Sequence, residues 1–260
     1  LGDVYKRQSI LSENTSTSYT VFAPTDAAFK KLPKGTVQTL LDPRNDDRLE
    51  EVFGFHVKEV SEAPIFIKKY SILRMTTRQF ISVNYKNGTI GDARFTGDVI
   101  PCSNGVIYLI DTVLTPTTDD LFQRLQKDGR FTIFTKAITA SRQGKLFQNM
   151  HSLYTTFAPT DEAFKKLPAK TVESLFLPEN NERLEDIIKH HITEQVYAYG
   201  KSSGNRRSLG VSDLTPFSAF GQQLNYKLLG KNATIDGAKI IETDIPCANG
   251  IIHVIDSVIL

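Results

Sequence analysis

Residues 20–33 read TVFAPTDAAFKKLP and residues 155–168 read TTFAPTDEAFKKLP, 12 identities in 14 positions at an offset of 135. Further along, residues 100–114 (IPCSNGVIYLIDTVL) return as residues 245–259 (IPCANGIIHVIDSVI), 9 identities in 15 at an offset of 145. Two blocks in the same order, each present twice, mean that one unit has been duplicated, at a period too long for a solenoid. The 10-residue difference between the offsets predicts an insertion in the second copy between the blocks. The Thr115-Pro116-Thr117-Thr118 stretch is the expected boundary, giving copies at 9–115 and 119–260.

Residues 1–8, LGDVYKRQ, resemble the translated end of a transposon-based sequencing adapter and are set aside from fold reasoning. Copy two then has 35 residues before Tyr154, and copy one has 10 before the equivalent Tyr19. Copy one is therefore expected to lack ~25 residues of N-terminal helix relative to copy two. In copy two that stretch puts Leu121, Phe122 and Leu125 on one helical face and Phe131, Phe134 and Ile138 on another. Burying six such side chains is worth on the order of 10 kcal/mol. A whole domain has only ~5–15 kcal/mol, so copy one alone is expected to be marginal or unfolded.

Within each copy the period changes. Tyr19 to Ala23 predicts a short strand ending at Pro24, and Thr25 or Asp26 can cap a helix carrying Ala28, Phe29 and Leu32. A second helix follows Gly35-Thr36. A third begins near Asn45, with Leu49, Val52, Phe53 and His56 spaced as one helical stripe; Leu184, Ile187, Ile188 and His191 repeat it after Asn181. β-rich runs then cover 71–75 and 79–85, and Asn104-Gly105 suits a hairpin turn in which both residues tolerate positive φ. Val106–Ile110 is apolar on both faces, as in a buried strand. Helices followed by strands predict an α+β class for each repeat.

Composition narrows the function. Hydrophobic residues at 40% and charged residues at 23% describe a globular chain. A net charge of +2 is too balanced for phosphate-driven nucleic-acid binding. No apolar stretch is long enough to span a membrane. Two cysteines exclude both a disulfide scaffold and a four-cysteine zinc site.

The repeated blocks resemble the two signatures of the fasciclin-domain family: T-V-F-A-P-T-D/N-x-A-F, here at 20–29 and 155–164, and N-G-x-I-H-x-I-D-x-V-L, here at 104–114 and 249–259. The resemblance also takes in LLDPRNDDRLEEV and LFLPENNERLEDI, and covers nearly the whole chain beyond residue 18. It implies two tandem domains, each a β-sandwich or wedge with helices packed at one side. It also implies an extracellular, periplasmic or cell-surface location and adhesion to a cell-surface or matrix protein or a polysaccharide, without catalysis. Copy one departs by carrying Tyr108 where the pattern has His, and copy two ends on Ile259 in place of Leu. The first swap counts against chemistry at His253.

In animal members a Tyr-His pair is implicated in integrin binding, and the matching positions here are Phe55-His56 and His190-His191. With no tyrosine at either place, that mode of recognition is in doubt. Two readings stand for His56 and His191: a core residue making a hydrogen bond from the apolar stripe, or a ligand contact. His190 and His191 point about 100° apart on a helix and cannot chelate one metal. Thr25-Asp26 and Thr160-Asp161 read as helix caps rather than metal ligands. Asp111 and Asp256, within apolar strands, are expected to bond to backbone near a helix start and to fix the fold. Asn104-Gly105 and Asn249-Gly250 are read as turns. Cys102 and Cys247 are expected to be free and buried.

Arg206 and Arg207 lie in a Gly/Ser-rich loop and can serve either as a solvated turn or as a contact for carbohydrate or an acidic polymer. Asn14-Thr15-Ser16, Asn87-Gly88-Thr89 and Asn232-Ala233-Thr234 match the glycosylation acceptor pattern. No nucleophile elbow, zinc-helix motif, P-loop or dinucleotide fingerprint is present, and no metal or cofactor is expected. The primary expectation is an adhesive binding module; the alternative is a spacer or anchor pair within a larger secreted protein.

Overall fold

The computed structural model describes residues 17–60, 70–199, 201–203, 208–209, 216–219, 221–229 and 232–260. The sequence readings at residues 1–8, Asn14, Arg206 and Arg207 lie outside the described residues. The chain divides into two compact units that part between Pro116 and Thr117.

In the first unit β1 (Ser18–Pro24) is followed by three helices: α1 (Asp26–Lys30), α2 (Thr36–Leu41) and α3 (Asp46–Phe55). The strands β2 (Val57–Val60), β3 (Tyr70–Arg74), β4 (Phe80–Asn84), β5 (Thr89–Ile90), β6 (Ala93–Arg94), β7 (Ile100–Cys102) and β8 (Gly105–Ile110) complete it. One sheet has the order β2-β1-β8-β7, and β3, β4, β5 and β6 pair in sequence. Phe22 and Ile110 from the first sheet meet Leu73, Ile81, Val83 and Ile90 from the second, forming a core between them. Burying side chains of this size contributes ~1.5–3 kcal/mol each.

The second unit opens with α4 (Leu121–Lys127), α5 (Thr132–Ala140) and α6 (Gly144–Phe147), then β9 (Tyr154–Pro159). Next come α7 (Asp161–Lys165), α8 (Ala169–Leu175), α9 (Asn181–His190), β10 (Ile192–Thr193), β11 (Ala198–Tyr199), β12 (Lys201–Ser203) and β13 (Ser208–Leu209). The strands β14 (Tyr226–Leu229), β15 (Asn232–Ile235), β16 (Ala238–Cys247) and β17 (Gly250–Ile255) finish the chain. The main sheet has the order β10-β9-β17-β16-β15-β14. Helices pack on one side of it, around Leu121, Phe134, Phe147, Leu184 and Ile188, and a second core gathers Phe157, Tyr197, Ile235 and Ile255. Each unit is α+β, as expected from the switch of period.

The two repeated blocks are neighbours in space. β1 runs parallel to β8, with Tyr19 opposite Gly105 and Pro24 opposite Ile110. β9 runs parallel to β17 in the same register, Tyr154 opposite Gly250 and Pro159 opposite Ile255. A parallel pair needs a long crossover, and here everything between the two blocks of a copy supplies it.

Three expectations change. The hairpin turn is formed by Ser103-Asn104, and Gly105 already belongs to β8, opposite Cys102. Neither Asn104 nor Asn249 has positive φ. The glycine is required by crowding: a Cβ on Gly105 would lie 1.9 Å from the Tyr19 carbonyl oxygen, and one on Gly250 would lie 2.0 Å from that of Tyr154. Second, Val106–Ile110 is not buried throughout; Val106, Ile107 and Leu109 are half-buried, whereas all of Gly250–Ile255 is buried. Third, Cys102 is exposed while Cys247 is buried, both as free thiols. Desolvation pushes the Cys247 thiol far above its ordinary pKa.

Candidate functional site

Three pairs of polar landmarks, His56 and His191, Asp111 and Asp256, Thr25 and Thr160, make the same bonds in both repeats. His56 follows α3 directly and is buried; its Nδ1 donates to the Val52 carbonyl at 2.7 Å and its Nε2 accepts from the Leu114 backbone N–H at 2.9 Å. His191 follows α9, donating from Nδ1 to Ile187 at 2.7 Å and accepting at Nε2 from Ile259 N–H at 3.1 Å. This assigns one tautomer to both rings: because Nε2 accepts an N–H, the single proton is on Nδ1. Burial lowers the pKa of both imidazoles, to about 4 for His191, against the raising influence of the carbonyl each one faces. Each histidine ties a helix end to the chain just beyond the last strand. The geometry supports the core reading of these two rings over a ligand contact, since both ring nitrogens are engaged by backbone.

Their neighbours differ. Phe55 is buried in the first core. His190 is half-buried, donating from Nδ1 to the Asp186 carbonyl at 3.0 Å and meeting the Gln222 side-chain oxygen through Nε2.

Asp111 and Asp256 lie one residue past β8 and β17, not within them, and are half-exposed. Asp111 accepts from the Arg94 backbone N–H at 2.8 Å and from Lys31 Nζ at 3.1 Å. Asp256 accepts from Lys239 N–H at 2.8 Å and Lys166 Nζ at 2.8 Å. The lysines sit at the C-terminal ends of α1 and α7, so the expected backbone partner near a helix start is replaced by an ammonium at a helix end. The Arg94 N–H and the Lys31 ammonium bring Asp111 down to about 2. For Asp256 burial pushes upward, but Lys166 and the Lys239 N–H outweigh it and the carboxyl stays below its usual range.

Thr25 and Thr160 cap α1 and α7, accepting from Ala28 N–H at 3.3 Å and Ala163 N–H at 3.2 Å. Asp26 occupies the first turn of α1. Asp161 does something the sequence did not suggest. It accepts from Thr132 Oγ1 at 2.7 Å and Ile133 N–H at 2.8 Å, and so caps α5 rather than its own helix.

Asn249, read as a turn residue, is completely buried. Its Oδ1 accepts from Leu121 N–H at 2.9 Å, and its Nδ2 donates to Phe147 O at 2.8 Å and Asn149 O at 3.0 Å. One side chain thus holds the start of α4 and the end of α6 against the β16–β17 hairpin. His253, buried and stacked on Phe157 with ring centroids 5.6 Å apart, occupies the place of Tyr108, which stacks on Phe22 at 5.9 Å. His253 Nε2 donates to Tyr197 O at 2.7 Å and its Nδ1 accepts from Asp244 N–H at 3.2 Å.

These landmarks link helix ends to strand ends. They do not present a nucleophile to a base: the imidazole nitrogens of His56, His191 and His253 all face backbone groups. Among the described residues no group of three His, Cys, Asp or Glu side chains could hold a metal ion, and no helix is long and apolar enough to cross a membrane. A shallow polar groove in the second unit is lined by Asn225, Lys227, Thr234, Asp236 and Gly237. Asn87 is exposed in the turn between β4 and β5, within reach of modification.

Comparison with known proteins agrees with the duplication. The chain is 28% identical over 248 residues to transforming growth factor-beta-induced protein ig-h3 of Sus scrofa, covering 94% of this chain and 35% of that protein. It is 40% identical over 108 residues to Protein sll1483 of Synechocystis sp., covering 41% of this chain and 54% of that one. Human periostin matches at 28% over 156 residues, 60% of this chain and 18% of periostin. The chain therefore spans about a third to a half of the length of the first two of these relatives. Among solved structures, a FAS1 domain pair from the insect cell adhesion molecule fasciclin I matches with a TM-score of 0.49 at 16% identity, covering 100% of this chain and 92% of that one. The fasciclin-domain model matches residues 4–116 and again residues 129–260, so the chain belongs to the fasciclin family as a tandem pair of its domains.

Proposed function

We propose that this protein is a non-catalytic binding module that contacts a cell-surface or matrix protein, or a polysaccharide, outside the cytoplasm. The observation that carries this reading is the architectural use of the repeated polar landmarks: His56, His191, Asp111 and Asp256 are each bonded to backbone or lysine in the same way in both units. Fasciclin domains also recur in cell adhesion proteins. Two domains in one chain give avidity from individually weak sites.

This reading assigns contact with an acidic polymer or sugar to Arg206 and Arg207, on their sequence, and to the groove around Lys227. The test immobilises the full 260-residue chain and measures retention of matrix proteins, anionic and neutral polysaccharides. Retention of an anionic polysaccharide that falls at least tenfold with Arg206→Ala/Arg207→Ala or with Lys227→Glu supports the sugar-contact form. Retention of a matrix protein that ignores these substitutions supports the protein-contact form. No retention of any member of the panel favours the alternative, a spacer or anchor pair in a longer secreted protein.

A further inference from the structure

Residues 86–90, KNGTI, return as residues 231–235, KNATI, at the offset of 145 that relates the second repeated block. Both stretches enclose the acceptor pattern for a glycan on asparagine, at Asn87-Gly88-Thr89 and Asn232-Ala233-Thr234. At that offset the ten residues before them, 76–85 and 221–230, share no identity. Packing explains the isoleucine of the shared run, since Ile90 and Ile235 are both inaccessible in their cores. It does not explain the asparagine.

In the first unit Asn87 lies in the turn joining β4 to β5 and is exposed. The structural duties common to a turn asparagine fall to its neighbours. Asn84 Oδ1 accepts the Asn87 backbone N–H at 3.1 Å, so Asn84 fastens the turn. Gly88 takes the positive φ, at 66°, and Asn87 does not. The Gly88 N–H donates to Tyr85 O at 3.1 Å, and Gly88 O accepts from Phe95 N–H at 2.9 Å. The Asn87 carboxamide itself makes no hydrogen bond among the described residues. Space around the turn is open: nothing lies within 4 Å of a Cβ built on Gly88. Thr89, two residues on, is half-buried at the start of β5, opposite Asn84.

We propose that Asn87 is a glycan attachment site, its side-chain amide taking an oligosaccharide as the chain is exported. This rests on the reading that the protein works outside the cytoplasm. The donor is a polyprenyl-diphosphate-linked oligosaccharide. Asn87 Nδ2 bonds to the anomeric carbon of the first sugar, and that carbon's bond to the phosphate oxygen breaks. Polyprenyl diphosphate leaves with the electron pair, and one amide proton is released. The Thr89 hydroxyl completes the pattern that the transferring enzyme reads. A glycan here extends from the end of the β4–β5 hairpin into solvent and displaces no hydrogen bond of the fold.

The test secretes the full 260-residue chain from a eukaryotic cell line behind a heterologous signal peptide and maps its peptides by mass spectrometry. Release by peptide N-glycosidase in heavy-oxygen water tags each attachment position. The expected result is at least half occupancy at Asn87, abolished by Asn87→Gln and by Thr89→Ala and kept by Thr89→Ser. Made without glycan in a bacterial cytoplasm, the Asn87→Gln chain is expected to melt within about 2 °C of the parent, because the carboxamide holds nothing. A larger fall makes Asn87 a structural residue and overturns the proposal. An unmodified Asn87 in the secreted chain also overturns it, whatever the occupancy of Asn14 or Asn232, as does occupancy that persists in Thr89→Ala. Retention of matrix proteins and polysaccharides is measured separately, so the binding reading stands or falls on its own result.

Discussion

The side-chain oxygen of Asn249 accepts a hydrogen bond from the backbone N–H of Leu121 at 2.9 Å, across 128 residues of chain. Leu121 begins α4, and an N–H in the first turn of a helix has no partner within it. The same amide donates to Phe147 O and Asn149 O, at the other end of the helical segment. All three contacts are inside the second unit, and the amide itself is inaccessible to solvent.

Asn249→Ala leaves those three backbone groups without their partner in a site that excludes water. A buried unsatisfied group costs about 1–3 kcal/mol, so the expected loss is about 3 kcal/mol or more. Thermal unfolding measures the loss. Hydrogen exchange at Leu121 and Phe122 should accelerate before that of β9 and β17, because the helices are released first.

Gly250→Ala forces a methyl group to within 2.0 Å of the Tyr154 carbonyl, which lies on the adjacent parallel strand. The β9–β17 pair must separate, at a cost expected to exceed 3 kcal/mol or to abolish folding of the unit. Gly144→Ala is the control: nothing lies within 4 Å of its would-be Cβ, and the residue begins α6. That change should be neutral or stabilise by up to about 1 kcal/mol. Equal destabilisation by the two substitutions would count against the crowding argument.

Asp161 and Asp26 are the same residue in the two copies of the motif, yet Asp161 caps α5 through Thr132 and Ile133. Asp161→Ala is expected to cost about 1–2 kcal/mol. Asp26→Ala, at an exposed first-turn position, should fall within about 0.5 kcal/mol. Denaturant midpoints of the two variants, read against the parent chain, give the difference.

Acid should weaken the second unit. Burial lowers His191 from 6.5 to about 4, so the unfolded chain binds a proton that the folded one rejects. Stability is complete above about pH 6.5 and is lost as pH falls toward 4, by about 3 kcal/mol in all. A proton on Nε2 would face the Ile259 N–H, two donors with no acceptor between them. His191→Phe should flatten this part of the pH dependence while lowering stability at pH 7, because the Ile259 N–H then has no acceptor. His56 and His253 shift in the same direction by burial, so some acid sensitivity persists in the variant.

The sequence by itself determined the duplication, the family, the α+β class and the helix caps at Thr25 and Thr160. These are either local or repeated, and both kinds of information survive in a linear string. A threonine before a helix bonds to an N–H three residues away, and twelve identities in fourteen positions need no coordinates to be seen. Tertiary structure alone decided what Asn249, Asp161, Gly250 and Asp256 do. Their partners are Leu121, Ile133, Tyr154 and Lys166, between 28 and 128 residues distant along the chain. It also decided that the same apolar stripe is buried on α9 and half-open on α3. A hydrophobic pattern states which face seeks cover, and only the packed fold supplies the element that covers it.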